Sequence, residues 1–146
     1  MTEYKIKNPV PTNIITGFLG VGKTTAIRNL LSNKPNDEHW AVLVNEFGEI
    51  GIDGNLFAEK TDSQSGITVS QVPGGCMCCS NGLPFQMALG VLLAKSKPDR
   101  LLIEPTGLGH PREVLSILSR DYYREILDIC ATLSLVDARK VTDNRY

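Results

Sequence analysis

The stretch Gly17-Phe18-Leu19-Gly20-Val21-Gly22-Lys23-Thr24-Thr25 determines how the rest of the chain is interpreted. It fits the pattern G-x-x-x-x-G-K-[ST]. It also follows a short β-branched run at 13–16 and opens a segment, 24–31, whose apolar residues have helical spacing. A glycine-rich turn between a strand and a helix lets backbone N–H groups converge on phosphate oxygens at the helix N-terminus. The sequence therefore predicts a phosphate-binding loop.

Each side chain of this loop has an expected role. We expect Lys23 to neutralise charge at the β- and γ-phosphates, and the Thr24 hydroxyl to coordinate Mg²⁺. Thr25 is expected to support the region of the α-phosphate. The other positions expected to contact the nucleotide are Gly17, Gly20, Val21 and Gly22. A glycine-rich turn with no ligand is the alternative, and the flanking strand and helix patterns argue against it.

Apolar segments further along the chain alternate between short, strand-like runs and longer, helix-like runs, with Gly and Pro at the junctions. The predicted strands lie at 13–16, 40–44, 67–72, 101–103 and 131–136, and the predicted helices at 24–31, 83–94 and 114–118. Strands that alternate with helices pair in parallel, with helices on both faces of the sheet. We therefore predict an α/β P-loop NTPase fold with a doubly wound, mainly parallel sheet.

The composition indicates a soluble globular domain. The 146 residues include 15 Lys plus Arg and 16 Asp plus Glu, which gives a net charge of −1. This balance argues against nucleic acid or an anionic membrane as the partner, since both require a basic surface. The longest stretch without charge, 63–94, is interrupted by Gly, Pro and polar residues, so no membrane-spanning helix is predicted. The expected location is the cytoplasm.

A carboxylate at the end of a later strand is the candidate for the metal side of a nucleotide site. Glu104 follows Arg100-Leu101-Leu102-Ile103, and a strand end holds such a ligand rigidly. We expect Glu104 to act on Mg²⁺ directly or through water, and the Gly107 backbone N–H to reach the γ-phosphate. The alternative is a carboxylate that only caps the strand.

The segment 45–54 is rich in acids and glycines, which is typical of a loop that the γ-phosphate and Mg²⁺ can order. Asp53 or Glu49 is expected to assist the attacking water, and the sequence does not choose between them. A solvated surface turn is the alternative interpretation.

Three cysteines crowd into four residues after two glycines: Cys76, Cys78 and Cys79. Thiolates are soft ligands that suit Zn²⁺ in tetrahedral geometry, and three sulfurs leave one position open. Candidates for the remaining ligand are Glu46, Glu49 and His110. The alternatives are a redox pair formed by Cys76 and Cys79, or plain buried cysteines. Cys130, alone among apolar residues, is predicted to lie in the core.

These motifs, in this order, resemble the CobW-like family of P-loop GTPases, and most closely its YeiR-type zinc-binding members. The segments that carry the resemblance are GFLGVGKTT from Gly17, VNEFGEIGID from Val44, GGCMCC from Gly74 and LLIEPTGLGHP from Leu101. The resemblance implies GTP as the nucleotide, Zn²⁺ as the principal metal, and a metallochaperone that delivers zinc to target proteins using GTP hydrolysis. It assigns Gly20, Gly22, Lys23, Thr24 and Thr25 to nucleotide and Mg²⁺, Glu104 to the second nucleotide motif, and Cys76, Cys78 and Cys79 to zinc.

The chain also departs from the family pattern. An [NT]-K-x-D element, which reads guanine, is expected after the strand at 131–136, and Ser96-Lys97-Pro98-Asp99 precedes the Glu104 strand instead. We interpret that segment as a helix end and a turn. Residues 1–146 are therefore expected to be the N-terminal part of a CobW-like GTPase domain, or a truncated product.

Two other functions stay open at this stage: a non-enzymatic zinc-binding module, and an ATP-using P-loop transferase. The expected partners are GTP or GDP and an unidentified zinc-recipient protein. Self-association that depends on metal or nucleotide is also expected.

Overall fold

The computed structural model describes residues 8–45, 60–62, 65–72, 82–105, 111–140 and 142. Within these residues the chain forms six strands and four helices. The strands are β1 (Val10–Gly17), β2 (Trp40–Val44), β3 (Lys60–Asp62), β4 (Ile67–Gln71), β5 (Arg100–Glu104) and β6 (Leu127–Leu135). The helices are α1 (Lys23–Ser32), α2 (Leu83–Ser96), α3 (Pro111–Leu118) and α4 (Asp121–Arg124).

The strands form one sheet in the order β3-β4-β2-β5-β1-β6. All neighbouring pairs are parallel except β3 with β4, which is antiparallel. Val42 in β2 lies between Val69 of β4 and Leu102 of β5, so an apolar row crosses the centre of the sheet on one face. The predicted mainly parallel α/β fold is therefore confirmed.

Two apolar cores lie on opposite faces of this sheet, because successive residues of a strand point to opposite sides. Ile15 of β1 and Ile27 of α1 belong to the core on one face. Ile14 belongs to the core on the other face, together with Leu89 of α2 and Ile117 of α3. The helices therefore cover both faces of the sheet, as predicted. Within the described part of the chain, no helix has the length and apolar character needed to cross a membrane.

All the predicted elements are present, but the starts of β1 and of two others differ by more than a residue or two: β6 begins at Leu127 and not at 131, and α3 begins at Pro111 and not at 114. Strand β1 begins before the predicted residue 13 because Pro11 lies where β1 pairs with β6 but not yet with β5. There, the missing proline N–H removes fewer ladder hydrogen bonds than it would further along. The polar segment 96–99 does end a helix, since Lys97 adopts a left-handed conformation (φ 44°) after α2.

One prediction about the core is wrong. Cys130 is only half-buried, because it lies on β6, which pairs with β1 alone among the described strands. Its thiol lies 3.5 Å from the carbonyl oxygen of Asp128 on the same strand. All residues of β6 after Leu127 are exposed or half-buried, because the strand lies at the edge of the described sheet, and the apolar sequence around Cys130 did not reveal this position.

Candidate nucleotide-binding site

The carboxyl ends of β1, β5 and β6 meet at one edge of the sheet, because these strands are parallel neighbours. Helix α1 follows β1 onto one face, whereas α3 follows β5 onto the other. Where consecutive helices leave adjacent strands for opposite faces, a crevice opens at the carboxyl edge. The predicted phosphate loop lies at this edge between β1 and α1.

Glycines shape the loop. Gly20 has φ +76° and Gly22 has φ +102°, conformations that are costly for residues with a Cβ atom. Gly22 is the residue before α1, and its carbonyl accepts the N–H of Ala26 at 2.9 Å. The Val21 N–H donates to the Phe18 carbonyl at 3.2 Å. The chain therefore turns tightly into the helix at the positions predicted from the motif.

Lys23 lies inside this turn. Its side chain is 6% exposed, and its ammonium donates to the carbonyls of Gly17 at 2.9 Å and Phe18 at 3.0 Å. An ammonium has three donors, so an additional hydrogen bond to a phosphate oxygen is compatible with both contacts. The loop carbonyls thus hold a positive charge at the base of the loop, and the nucleotide role predicted for Lys23 fits this position.

The N-terminus of α1 also favours an anion. The first turn of the helix carries no acidic side chain, so the positive end of the helix dipole is not neutralised by its own residues. Thr24 is half-buried and Thr25 is exposed in this first turn. Glu104, the predicted metal-side carboxylate, is half-buried at the last position of β5. Glu104 therefore ends a strand, as the sequence predicts, and the structure adds that this strand is the neighbour of β1.

Several predicted site residues lie outside the described residues, and their assignments stay predictions. They are Glu46, Glu49, Asp53, Cys76, Cys78, Cys79, Gly107 and His110. These residues fall in the ranges 46–59, 73–81 and 106–110, which follow β2, β4 and β5 along the chain. The three strands are parallel, so their last residues lie at the same carboxyl edge of the sheet. In particular, the N–H of Val72, after β4, donates to the carbonyl of Val44, the last residue of β2, at 2.9 Å. The chain thus leaves β2 and β4 side by side.

One polar feature at this edge was not predicted. Asp137, just beyond β6, accepts hydrogen bonds from the Arg139 side chain, Nε at 3.0 Å and Nη2 at 2.9 Å, and from the Arg139 backbone N–H at 3.0 Å. The Arg139 guanidinium lowers the pKa of Asp137 to about 2. An Asp two residues before an Arg at a strand end is a turn signal that the sequence does contain. Asp137 lies two residues beyond Leu135, which pairs with Gly17 of the loop, so the position of Asp137 depends on how β6 pairs with β1.

The sheet order and the loop geometry define a P-loop nucleotide-binding domain. The family model described as CobW/HypB/UreG, nucleotide-binding domain, matches residues 11–146. The chain therefore belongs to this family.

Individual relatives agree with this assignment. The zinc chaperone YeiR of Escherichia coli K12 is 56% identical over 134 residues, which cover 92% of this chain and 39% of the relative. The zinc-regulated GTPase metalloprotein activator 1 of Schizosaccharomyces pombe is 35% identical over 108 residues, which cover 71% of this chain and 26% of the relative. The crystal structure of a Zn(II)-bound triple mutant of the YjiA GTPase superposes with a TM-score of 0.60 at 30% identity, covering 91% of this chain and 42% of that one. The chain thus spans less than half the length of these relatives.

Proposed function

We propose that this chain is the nucleotide-binding part of a zinc-binding GTPase that acts as a metallochaperone, transferring zinc to target proteins with GTP hydrolysis. The observation that carries the proposal is the loop geometry, with Gly20 and Gly22 at positive φ and the Lys23 ammonium held beneath the loop. One relative named as a zinc chaperone and another named as a zinc-regulated GTPase support the choice of metal and nucleotide. The three-cysteine cluster suits a reducing cytoplasm better than an oxidising compartment.

The nucleotide half of the proposal rests on groups that attract phosphate. Backbone N–H groups of the loop and the N-terminus of α1 bind phosphate oxygens, and Lys23 offsets charge at the β- and γ-phosphates. The oxygen of Thr24 and the carboxylate of Glu104 fit Mg²⁺, a hard cation that prefers oxygen ligands. When bound, Mg²⁺ would offset the negative charge that develops during phosphoryl transfer. In this proposal Gly107 donates to the γ-phosphate, and Asp53 or Glu49 orients the attacking water.

The zinc half of the proposal rests on Cys76, Cys78 and Cys79, with Glu46 as an added ligand. Zinc is here a substrate to be carried. We propose that the segment containing Glu46 responds to the γ-phosphate and thereby changes the affinity of the zinc site. The hydrogen bond between Val72 and Val44 supports this coupling, because it joins the strands that lead into the cysteine segment and the acidic segment.

The test measures zinc affinity in the presence of GDP and of a non-hydrolysable GTP analogue, together with GTP turnover of the same preparation. A difference between the two zinc affinities, with GTP turnover above background, is the expected result. Equal affinities would remove the coupling. Background turnover with zinc still bound would instead identify a zinc-binding module without GTPase activity, and preferential turnover of ATP would identify an ATP-using enzyme.

A further inference from the structure

The order of the strands gives the bound nucleotide a direction. The P-loop ends β1, and β1 lies between β5 and β6. Glu104, the metal-side carboxylate of the proposed function, ends β5 on one side of the loop. If Glu104 acts on Mg²⁺ as proposed above, the γ-phosphate would lie toward β5. Because the nucleoside is at the other end of the phosphate chain, it would then extend toward β6, which lies on the other side of β1.

The residues at that end of β6 lie close to the loop. Gly17 pairs with Leu135, and a Cβ atom on Gly17 would lie only 2.6 Å from the Leu135 carbonyl oxygen. Two residues later the chain turns, and the Lys140 N–H donates to the Asp137 carbonyl at 2.9 Å. This turn keeps Arg139 at the carboxyl edge of the sheet.

The side chains in this turn fix the orientation of a guanidinium. The Asp137 carboxylate accepts hydrogen bonds from both Nε and Nη2 of Arg139, and these contacts lie in the plane of the guanidinium. The Arg139 side chain is 88% exposed, so the two flat faces of the group are accessible. A guanidinium held in this way is suited to stacking on a flat aromatic ring. An exposed ion pair of this kind adds little to folding stability, so stability gives no strong reason for the arrangement.

We propose that Arg139, oriented by Asp137, stacks on the purine base of the bound nucleotide. The proposal rests on the nucleotide binding proposed above and adds a residue on the base side. Stacking uses the face of the ring and not its hydrogen-bonding edge, so Arg139 adds affinity for guanine and adenine nucleotides alike. It does not select between them.

The experiment compares the affinity of the wild-type chain and its Arg139→Ala variant for GDP, ADP and inorganic pyrophosphate in the presence of Mg²⁺. We expect Arg139→Ala to lower the affinity for GDP and for ADP by about three- to tenfold and to leave the affinity for pyrophosphate unchanged. Arg139→Lys should restore only part of the loss, because an ammonium lacks the flat face. Arg124→Ala, which removes an exposed arginine from α4 before β6 begins, is the matched control and should change nothing.

Two outcomes would overturn the proposal while leaving nucleotide binding intact. Equal weakening of GDP and pyrophosphate would place Arg139 at the phosphates, and unchanged GDP affinity would make the pair a surface ion pair only. If the wild-type chain binds pyrophosphate but neither nucleotide, base-side stacking is also excluded. If it binds none of the three, the proposed function itself fails.

Discussion

A methyl group added to Gly17 would lie 2.6 Å from the backbone carbonyl oxygen of Leu135 and 2.8 Å from Cγ1 of Val21. Gly17 also has φ +148°, in the region that disfavours residues with a Cβ atom. The first glycine of the loop is therefore fixed both by its backbone and by strand β6. The G-x-x-x-x-G-K-[ST] pattern explains this glycine by phosphate binding and does not include its close approach to β6.

The first prediction concerns Gly17→Ala. The Leu135 carbonyl belongs to a paired strand and cannot move cheaply, so we expect a loss of about 1–3 kcal/mol in the free energy of unfolding and weaker GDP binding. Gly90→Ala is the control, because Gly90 lies in helix α2 with nothing within 4 Å of an added Cβ. It should stabilise the chain by about 0.5–1 kcal/mol. Urea denaturation measures the free energy of unfolding of both variants, and GDP titration measures their affinity for the nucleotide. A Gly17→Ala variant as stable as Gly90→Ala would show that an added Cβ does not clash with the Leu135 carbonyl.

The second prediction separates the loop lysine from a lysine with similar contacts elsewhere. Lys34, beyond the end of α1, also donates to two backbone carbonyls, those of Pro35 at 3.0 Å and Glu38 at 2.8 Å. Lys23→Met and Lys34→Met each remove two such hydrogen bonds, so both should cost about 1–3 kcal/mol of stability. Only Lys23→Met should lower the affinity for GDP, by about 10- to 100-fold, and abolish GTP turnover, with zinc binding retained. Similar GDP affinities for the two variants would argue against the nucleotide role of Lys23.

Hydrophobic periodicity was sufficient to predict the elements that build the two cores. Strand β2 has the predicted bounds, and α1 and α2 extend only one or two residues beyond the predictions. Strand β3 has the sequence Lys-Thr-Asp, and α4 has only four residues, so neither contains an apolar pattern to detect. The P-loop was predictable for a different reason, since its glycines and lysine are set by local geometry.

Features that depend on strand register could not be predicted. The half-buried state of Cys130 follows from the edge position of β6, and the place of the Asp137–Arg139 pair, just beyond Leu135, follows from the pairing of Leu135 with Gly17. That pairing contains a shift between Thr12 and Ile14: Thr12 pairs with Ile129, but Ile14 pairs with Thr132. A bulge of one residue changes which side chains face the core, and no residue pattern in β6 announces it.

The third prediction concerns the residue opposite this bulge. The Asn13 side-chain amide donates to the Ala131 carbonyl at 2.9 Å, and its oxygen accepts from Arg100 Nη1 at 2.6 Å. It thus links β6, β1 and β5. Asn13→Ala should cost about 1–2 kcal/mol in urea denaturation because it also removes the part-buried bond to Arg100, whereas Asn33→Ala, which removes a single exposed hydrogen bond to the Asn29 carbonyl, should cost less. In a double-mutant cycle, Asn13→Ala and Arg100→Met should be non-additive, and additivity would exclude the shared contact.

The fourth prediction tests the zinc assignment with a cysteine control. Cys78→Ala should lower the bound zinc or its affinity and leave GDP affinity unchanged, because three thiolates are proposed to hold the ion. Cys130→Ala removes a half-buried thiol on β6 and should preserve both zinc and GDP binding. Zinc stoichiometry and competition with a chromophoric chelator measure the effect. Unchanged zinc affinity in Cys78→Ala would refute the cysteine site.

The fifth prediction concerns the acid at the end of β6. Hydrogen bonds from the Arg139 side chain hold the pKa of Asp137 at about 2, below its ordinary value of 3.8. Because the pair is exposed and screened by solvent, its contribution to stability is small; it is present above pH 3.8 and is lost as the pH falls toward 2. Arg139→Ala should return the pKa of Asp137 toward 3.8, measured from its carboxyl carbon chemical shift during an NMR titration.

Arg139→Gln separates hydrogen bonding from charge in the same titration, because its amide can still donate to the carboxylate without a positive charge. Its Asp137 pKa should fall between those of the wild-type chain and Arg139→Ala. An Asp137 pKa that stays near 2 in Arg139→Ala would show that the guanidinium does not hold this carboxylate. Asp137 could then not orient Arg139 for stacking on a base, so this titration also tests the geometry on which the base-side role depends.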